Sequence, residues 1–217
     1  MLKHSYHARF SLWHLVLLVV ILTVTLPAIA QSEDPPTRIL KQTSTEMLTA
    51  LHTYRAILQN KPRYVFILVN EILAPRVDME TASRLALGKH WRSATSEQRR
   101  RFTTEFRNLL VRYYSLTLMT QLDMQDLPVN VIEFLPGPQL ATRYQVHSRV
   151  NIPHHQAVDV DYAVHRVDNA WKVYDIRVGG ISLVTAYRSV FASEIHQHGL
   201  DGLIERLAEK NKQLLAT

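Results

Sequence analysis

Cysteine is absent from this chain, so neither disulfide bonds nor thiol chemistry enters its stability or its function. Glycine is scarce: Gly88, Gly137, Gly179, Gly180, Gly199 and Gly202 build no loop that could cradle a phosphate, which removes support for nucleotide binding. No Gly-x-Ser-x-Gly elbow occurs. Ser182 follows a glycine pair with nothing beside it marking a base, and reads as a helix-start hydroxyl. The histidines lack metal-ligand spacing. His154 and His155 are adjacent in a hairpin loop, and His196 and His198 fall on different faces of a helix, so no metal site is expected.

Long apolar runs are also missing, with one exception at the start. Lys3 and Arg9 give a positive, acid-free opening, an apolar stretch follows from Leu15 to Leu26, and Pro27 precedes Ala28-Ile29-Ala30. This is the pattern of a secretory signal peptide, cleaved after Ala30, and the apolar stretch falls short of the roughly 20 residues a spanning helix needs. A mobile leader is expected at 31–36, followed by a single domain over 37–217. Setting aside Lys3 and Arg9 leaves 23 basic residues against 19 acidic ones, a mild excess that suits an anionic surface without demanding one. Export argues against nucleic acid as a partner.

Along the domain, apolar residues first recur at helical spacing. Leu40, Met47, Leu48, Leu51, Tyr54 and Leu58 mark a helix interrupted at Asn60-Lys61-Pro62. Val65, Leu68, Val69 and Ile72 mark a second, ended by Pro75, and Asp78 to Trp91 a third. Thr95-Ser96-Glu97-Gln98 fits a capping box, with the Thr95 hydroxyl accepting from the Gln98 amide and the Gln98 side chain reaching back. Behind it runs the longest helix, with Phe102, Phe106, Leu109, Leu110, Tyr113 and Thr117 on one stripe and Arg99, Arg100, Arg101 and Arg107 largely elsewhere.

The period then changes to two. Strands are predicted at Val129–Leu135, Thr142–Val150, Val158–Val164 and Trp171–Val178, with a turn at Asp168-Asn169. Setting Val150 opposite Val158 also pairs Val146 with Tyr162 and Tyr144 with Val164 on an apolar face. The opposite face then pairs Arg149 with Asp159 and His147 with Asp161, and a one-residue slip would set apolar against charged positions throughout. After Gly179-Gly180 the pattern is helical again through Ile181, Val184, Tyr187, Phe191 and Ile195. A last helix opens at Gly199-Leu200-Asp201-Gly202 and carries Leu203, Leu207 and Leu214 inward. The class is α+β: a curved antiparallel sheet of about four strands, with helices over its apolar face.

Two segments carry functional alternatives. Simple alternation sets Asp175 on the face of Trp171 and Val173, where a carboxylate in an apolar hollow could serve as a base. Arg99, Arg100 and Arg101 form the densest basic cluster, either a solvated helix face or a contact for an acidic partner or lipid headgroups.

Three stretches resemble one family. Leu85–Tyr114 (LALGKHWRSATSEQRRRFTTEFRNLLVRYY) places Gly88, Trp91, Ala94, Thr95, Gln98, Phe102, Phe106 and Tyr113 as in the central helical signature of MlaC, the periplasmic phospholipid-binding proteins also called toluene-tolerance Ttg2 proteins. Trp171–Val184 (WKVYDIRVGGISLV) and Gly199–Leu207 (GLDGLIERL) match its second and third signatures. The resemblance implies an NTF2-like fold around a deep apolar pocket for phospholipid acyl chains, with no catalytic residues and no cofactor beyond the lipid cargo. It implies partners at both membranes: an outer-membrane lipoprotein–porin complex of the MlaA type and an inner-membrane ABC lipid transporter complex of the MlaFEDB type. It puts pocket positions at Val158, Val160, Tyr162 and Ile181. Tyr144 and Val146 share that sheet face, and Phe106, Leu110 and Tyr113 face it from the long helix. Alternatives are an NTF2-like enzyme using Asp175 on an apolar small molecule, a carrier of hopanoid or another lipid, and a pure interaction module.

Overall fold

The computed structural model describes residues 35–121, 128, 130–135 and 144–216, with the side chains of 117–121 and 216 left aside. The signal peptide and most of the leader expected at the start, the first residues of the two leading strands, and Pro136-Gly137-Pro138 lie outside the described residues.

The helical half comprises α1 (Pro35–Thr53), α2 (Arg55–Asn60), α3 (Tyr64–Leu68), α4 (Met79–Leu87), α5 (His90–Ser93) and α6 (Ser96–Gln121). Helix α1 begins two residues ahead of the expected start. Pro35 and Pro36 occupy its first turn, where the missing amide has no helical partner to lose. Beyond α3 the chain continues as a π-turn (Val69–Leu73) and a 3-10 turn (Ala74–Arg76), so Pro75 redirects the helix gradually. Asp78 caps α4: its Oδ1 accepts from the Thr81 amide at 2.9 Å and its Oδ2 lies 2.9 Å from His165 Nε2. Burial pushes the Asp78 carboxyl up, but the hydrogen bonds from Thr81 and His165 outweigh it and hold the group below its ordinary value. The capping box forms reciprocally, Gln98 N to Thr95 Oγ1 at 3.1 Å and Thr95 N to Gln98 Oε1 at 3.0 Å.

Five antiparallel strands follow in sequential order: β1 (Ile132–Leu135), β2 (Tyr144–Val150), β3 (Val158–Val167), β4 (Ala170–Val178) and the two-residue β5 (Ile181–Ser182). The β2–β3 register is the expected one at every pair from Tyr144–Val164 to Val150–Val158. On the charged face Arg149 Nε meets Asp159 Oδ1 at 2.8 Å and His147 Nδ1 meets Asp161 Oδ1 at 2.6 Å. Asp168 and Asn169, at φ 47° and 63°, make the turn into β4.

Two features break the simple alternation. Between β3 and β4 the pairing slips: Val164 faces Val173, but Ala163 faces Asp175. This bulge turns Ile176 to the face of Val173 and Tyr162, and Asp175 to the other. The second feature is Gly179-Gly180, at φ 56° and 83°, which closes a two-residue hairpin and sets Ile181 opposite Val178. No heavy atom lies within 4 Å of a β-carbon built on either glycine, so backbone conformation, not space, selects them. The following helix therefore starts at Leu183, two residues later than Ile181. Helix α7 (Leu183–Ala216) divides at Gly199, which has φ 71° and ψ 174°, where the last helix was expected to open. A β-carbon on Gly202 would sit 2.8 Å from His198 Cβ, so this second glycine keeps the two arms close.

Burial among the described residues concentrates in four clusters, the smallest of them Leu48 and Val131 with Ile132, Val150 and Ile152 packed against it. The largest core joins α4, α6 and α7 through Phe102, Phe106, Leu109, Phe191, Leu203 and Ile204. A second lies among α1, α2 and α3 (Met47, Leu51, Leu58, Val65, Leu68), and a third between α1 and the sheet (Leu40, Val146, Val164, Val173).

Candidate functional site: an apolar cavity between helix α1 and the sheet

Where the second and third cores meet, the side chains stop short of each other and leave a cavity of about 370 Å³. That is within the roughly 300–1,000 Å³ of small-molecule sites. It is also more than twice the ~150 Å³ of an engineered apolar cavity that holds benzene. Helix α1 supplies one wall with Leu40, Met47, Leu48 and Leu51, spaced at three, four and seven so that all project from one side. The π-turn adds Val69 and Leu73, and α6 adds Leu110, Val111 and Tyr114. The sheet closes the far side with Ile132, Val150, Tyr162, Val173 and Ile176. The bulge matters here, because without it Ile176 would face away.

Few polar groups reach this space. Thr43 turns its hydroxyl back to the Ile39 carbonyl at 2.8 Å, as helical threonines do. Burial pushes the Tyr162 phenol up in pKa, and likewise that of Tyr114, so both stay neutral walls. Among the described residues the lining contains one charged side chain, Arg76, and no carboxylate. A second depression of about 470 Å³ is bounded by Glu80, Trp91, Ser96, Arg99 and Arg100. Its lining is charged and hydroxylic, which suits hydrated groups and not an alkyl chain.

The first cavity can sequester a long apolar group and offers it nothing reactive. Similarity to known proteins bears on this cavity. The family model described as MlaC protein matches residues 41–209. The chain belongs to the MlaC family.

Two curated relatives carry names that bear on the cavity. The toluene tolerance protein ttg2D of Pseudomonas putida is 26% identical over 84% of this chain and 83% of its own. The intermembrane phospholipid transport system binding protein MlaC of Haemophilus influenzae is 23% identical over 93% and 94%. Among solved structures, the phospholipid-binding protein from Ralstonia solanacearum in complex with a phospholipid superposes with a TM-score of 0.71 at 29% identity. That match covers 82% of this chain and 98% of the other.

Of the pocket residues expected from the sequence and the MlaC resemblance, the structure brings Leu110 and Tyr162 into the cavity wall. The others sit elsewhere. Phe106 is fully buried in the helical core, edge-on to Tyr187 and Phe191 with centroids 5.1 and 5.3 Å away. It shares a helical stripe with Leu110, but one turn earlier, where α7 fills the opposing space. Tyr113 projects outward, 45% exposed, against Tyr114 and beneath Lys210. Val146 is packed solid in the third core, and Tyr144 leans on Trp171 at 5.0 Å. Val158 and Val160 are half-buried on the apolar face, beside the cavity and not in its wall.

Ile181 departs furthest from its expected place. It is 70% exposed, because it belongs to the edge strand made by the glycine turn and not to the helix after it. Ile181→Arg is therefore expected to leave lipid content unchanged and stability within about 0.5 kcal/mol. Mass spectrometry of the purified variant and a thermal melt check both.

Asp175 faces away from the cavity. Its Oδ2 accepts from Ser182 Oγ at 2.7 Å and its Oδ1 from the Val184 amide at 3.1 Å, while Ser182 Oγ accepts from the Thr185 amide at 3.0 Å. These bonds satisfy amides at the start of α7, so both residues are helix-capping groups. Asp175→Ala should cost about 1–2 kcal/mol in urea denaturation without altering lipid content. Lipid loss from the folded variant would count against this assignment.

Arg99, Arg100 and Arg101 are each engaged locally. Arg99 donates to the Trp91 carbonyl at 3.0 Å and lies over the Trp91 ring, Arg100 pairs with Glu97 at 2.7 Å, and Arg101 lies 3.7 Å from Asp201. Along α6 they precede Leu110 by about 15 Å at 1.5 Å per residue, so the cluster does not border the cavity. The wall residues that sequence reasoning missed include the α1 stripe, the π-turn, Val111 and Tyr114 of α6, Ile132, Val150, Val173 and Ile176 of the sheet, and Arg76. The α1 stripe was visible as a helical period, but that period is the same whether the facing space is filled or empty.

Proposed function

We propose that this protein is a periplasmic carrier that holds the acyl chains of a glycerophospholipid in the cavity and moves the lipid between the outer and inner membranes. The observation that carries this reading is the apolar cavity of about 370 Å³, in a member of the MlaC family whose solved relative is a phospholipid complex. Each methylene withdrawn from water contributes about 0.8 kcal/mol, so two acyl chains represent on the order of 20 kcal/mol gross against water. Ordering and association costs reduce this greatly. For a carrier the relevant exchange is from bilayer to cavity. Both ends are apolar, so the driving force nearly cancels and the lipid can be passed on.

The signal-peptide pattern before Gln31 supports a periplasmic location. The system named for the Haemophilus influenzae relative supports partners at both membranes, an outer-membrane lipoprotein–porin complex and an inner-membrane ABC transporter complex. The basic cluster at Arg99–Arg101 is read as a face for an acidic partner surface, since its distance along α6 separates it from the cargo. A carrier and not an enzyme is favoured because Asp175, the carboxylate on which catalysis would rest, is committed to the α7 cap.

Native mass spectrometry of protein purified without detergent tests the reading. Co-purifying glycerophospholipid, and uptake by the delipidated protein from vesicles, are the expected results. A protein that is empty and stays empty would overturn it.

A further inference from the structure

We propose that Arg76 recognises the phosphate of the bound lipid at the cavity mouth, so that the site selects phosphate-bearing lipids over neutral ones with the same chains. This rests on the carrier reading above. Arg76 lines the cavity, yet its side chain is exposed, which sets it at the boundary between apolar wall and solvent. It is the one charged group of the lining among the described residues, and no carboxylate of the lining is there to neutralise it.

The contrast with other arginines is informative. Arg107 donates to Asn70 Oδ1, Arg112 to the Asn211 carbonyl, and Arg188 to the Leu85 carbonyl. Among the described residues the Arg76 guanidinium has no ion-pair or hydrogen-bond partner. Its backbone, however, is held. Arg76 ends the 3-10 turn, Val77 bridges to Val173 of the cavity wall, and the Asp78 amide donates to the Val173 carbonyl at 2.8 Å. A free guanidinium on a fixed backbone, beside a cavity for acyl chains, suits a phosphodiester one glycerol unit from those chains. The planar fork can donate two parallel N–H bonds to its oxygens. A neutral lipid presents no such acceptor.

The competing role is purely apolar: the arginine stem would cover the rim while its charge stays in water. The two roles differ in a measurable ratio. Delipidated mature protein is loaded from mixed vesicles of dioleoylphosphatidylglycerol and dioleoylglycerol, and the two bound lipids are counted by mass spectrometry. Comparing the ratio between variants cancels the different costs of leaving the bilayer. Arg76→Gln should lower the phosphatidylglycerol-to-diacylglycerol ratio about tenfold, and Arg76→Lys, which keeps the charge but not the fork, about threefold. The wild-type ratio should also fall with added salt, which needs no variant.

An Arg76→Gln ratio equal to wild type, with both lipids still loaded, overturns the assignment of Arg76 and leaves the carrier reading standing. Wild-type protein that loads neither lipid overturns both. Inorganic phosphate alone should not raise the melting temperature of the delipidated protein. A gain that disappears in Arg76→Gln would assign the rim to free anions and overturn the proposal.

Discussion

Protein carrying Ile176→Arg is expected to fold and to carry at least tenfold less phospholipid than the wild type. Ile176 is half-buried in the sheet wall of the cavity, beside Tyr162 and Val173. In the empty cavity a guanidinium can draw in water, so the cost to folding stays near 1–2 kcal/mol. With an acyl chain present that water must leave, and an unpaired buried charge costs several kcal/mol. Each 1.4 kcal/mol is a factor of about ten in occupancy. The same substitution at Val150, which faces the cavity from β2, should act alike. Wild-type lipid content in both folded variants would show that the acyl chains lie elsewhere.

Phe106→Ala is expected to do the reverse. Phe106 has no exposed surface, stacks on Phe102 at 5.6 Å and meets Tyr187 and Phe191 edge-on. Removing such a ring from a packed core costs about 3–5 kcal/mol, as lost transfer energy plus the void left behind. For a domain of this size that is about 10–15 °C in melting temperature. The molecules that remain folded should hold the wild-type amount of lipid per chain, because α7 and not the cavity lies against this ring. An unchanged melting temperature with lipid lost would place Phe106 in the wall after all.

Phe106 and its stripe neighbour Leu110 mark the limit of what period can tell. They lie four residues apart, and hydrophobic period cannot separate them. Period reports which side of a helix turns from water, not what stands opposite. Helix α7 encloses Phe106 on its open side, whereas Leu110, at the edge of the same core, also borders the cavity. The α1 stripe, Leu40 through Leu51, was missed as a cavity wall for the same reason.

Local and pairwise features were legible because their partners are close in sequence or complementary in kind. The capping box needs only Thr95 and Gln98. The β2–β3 register needs only that apolar meet apolar and Arg149 meet Asp159, and a slip by one residue breaks both conditions together. The α+β order, the turn at Asp168-Asn169 and the helix break at Gly199 follow from period and turn chemistry. So does the family, through signatures spread along the chain.

What only the tertiary structure decided is which apolar surfaces touch and which leave room. The extra residue in β4, Tyr174, turns Ile176 inward and Asp175 outward, and no local signal in WKVYDIRV announces it. The hairpin at Gly179-Gly180 carries Ile181 to an exposed edge, although the same residues written as a line run from strand into helix. The cavity itself is a gap between elements far apart in the chain. It exists because helices, a bulged sheet and a π-turn meet without filling the space between them.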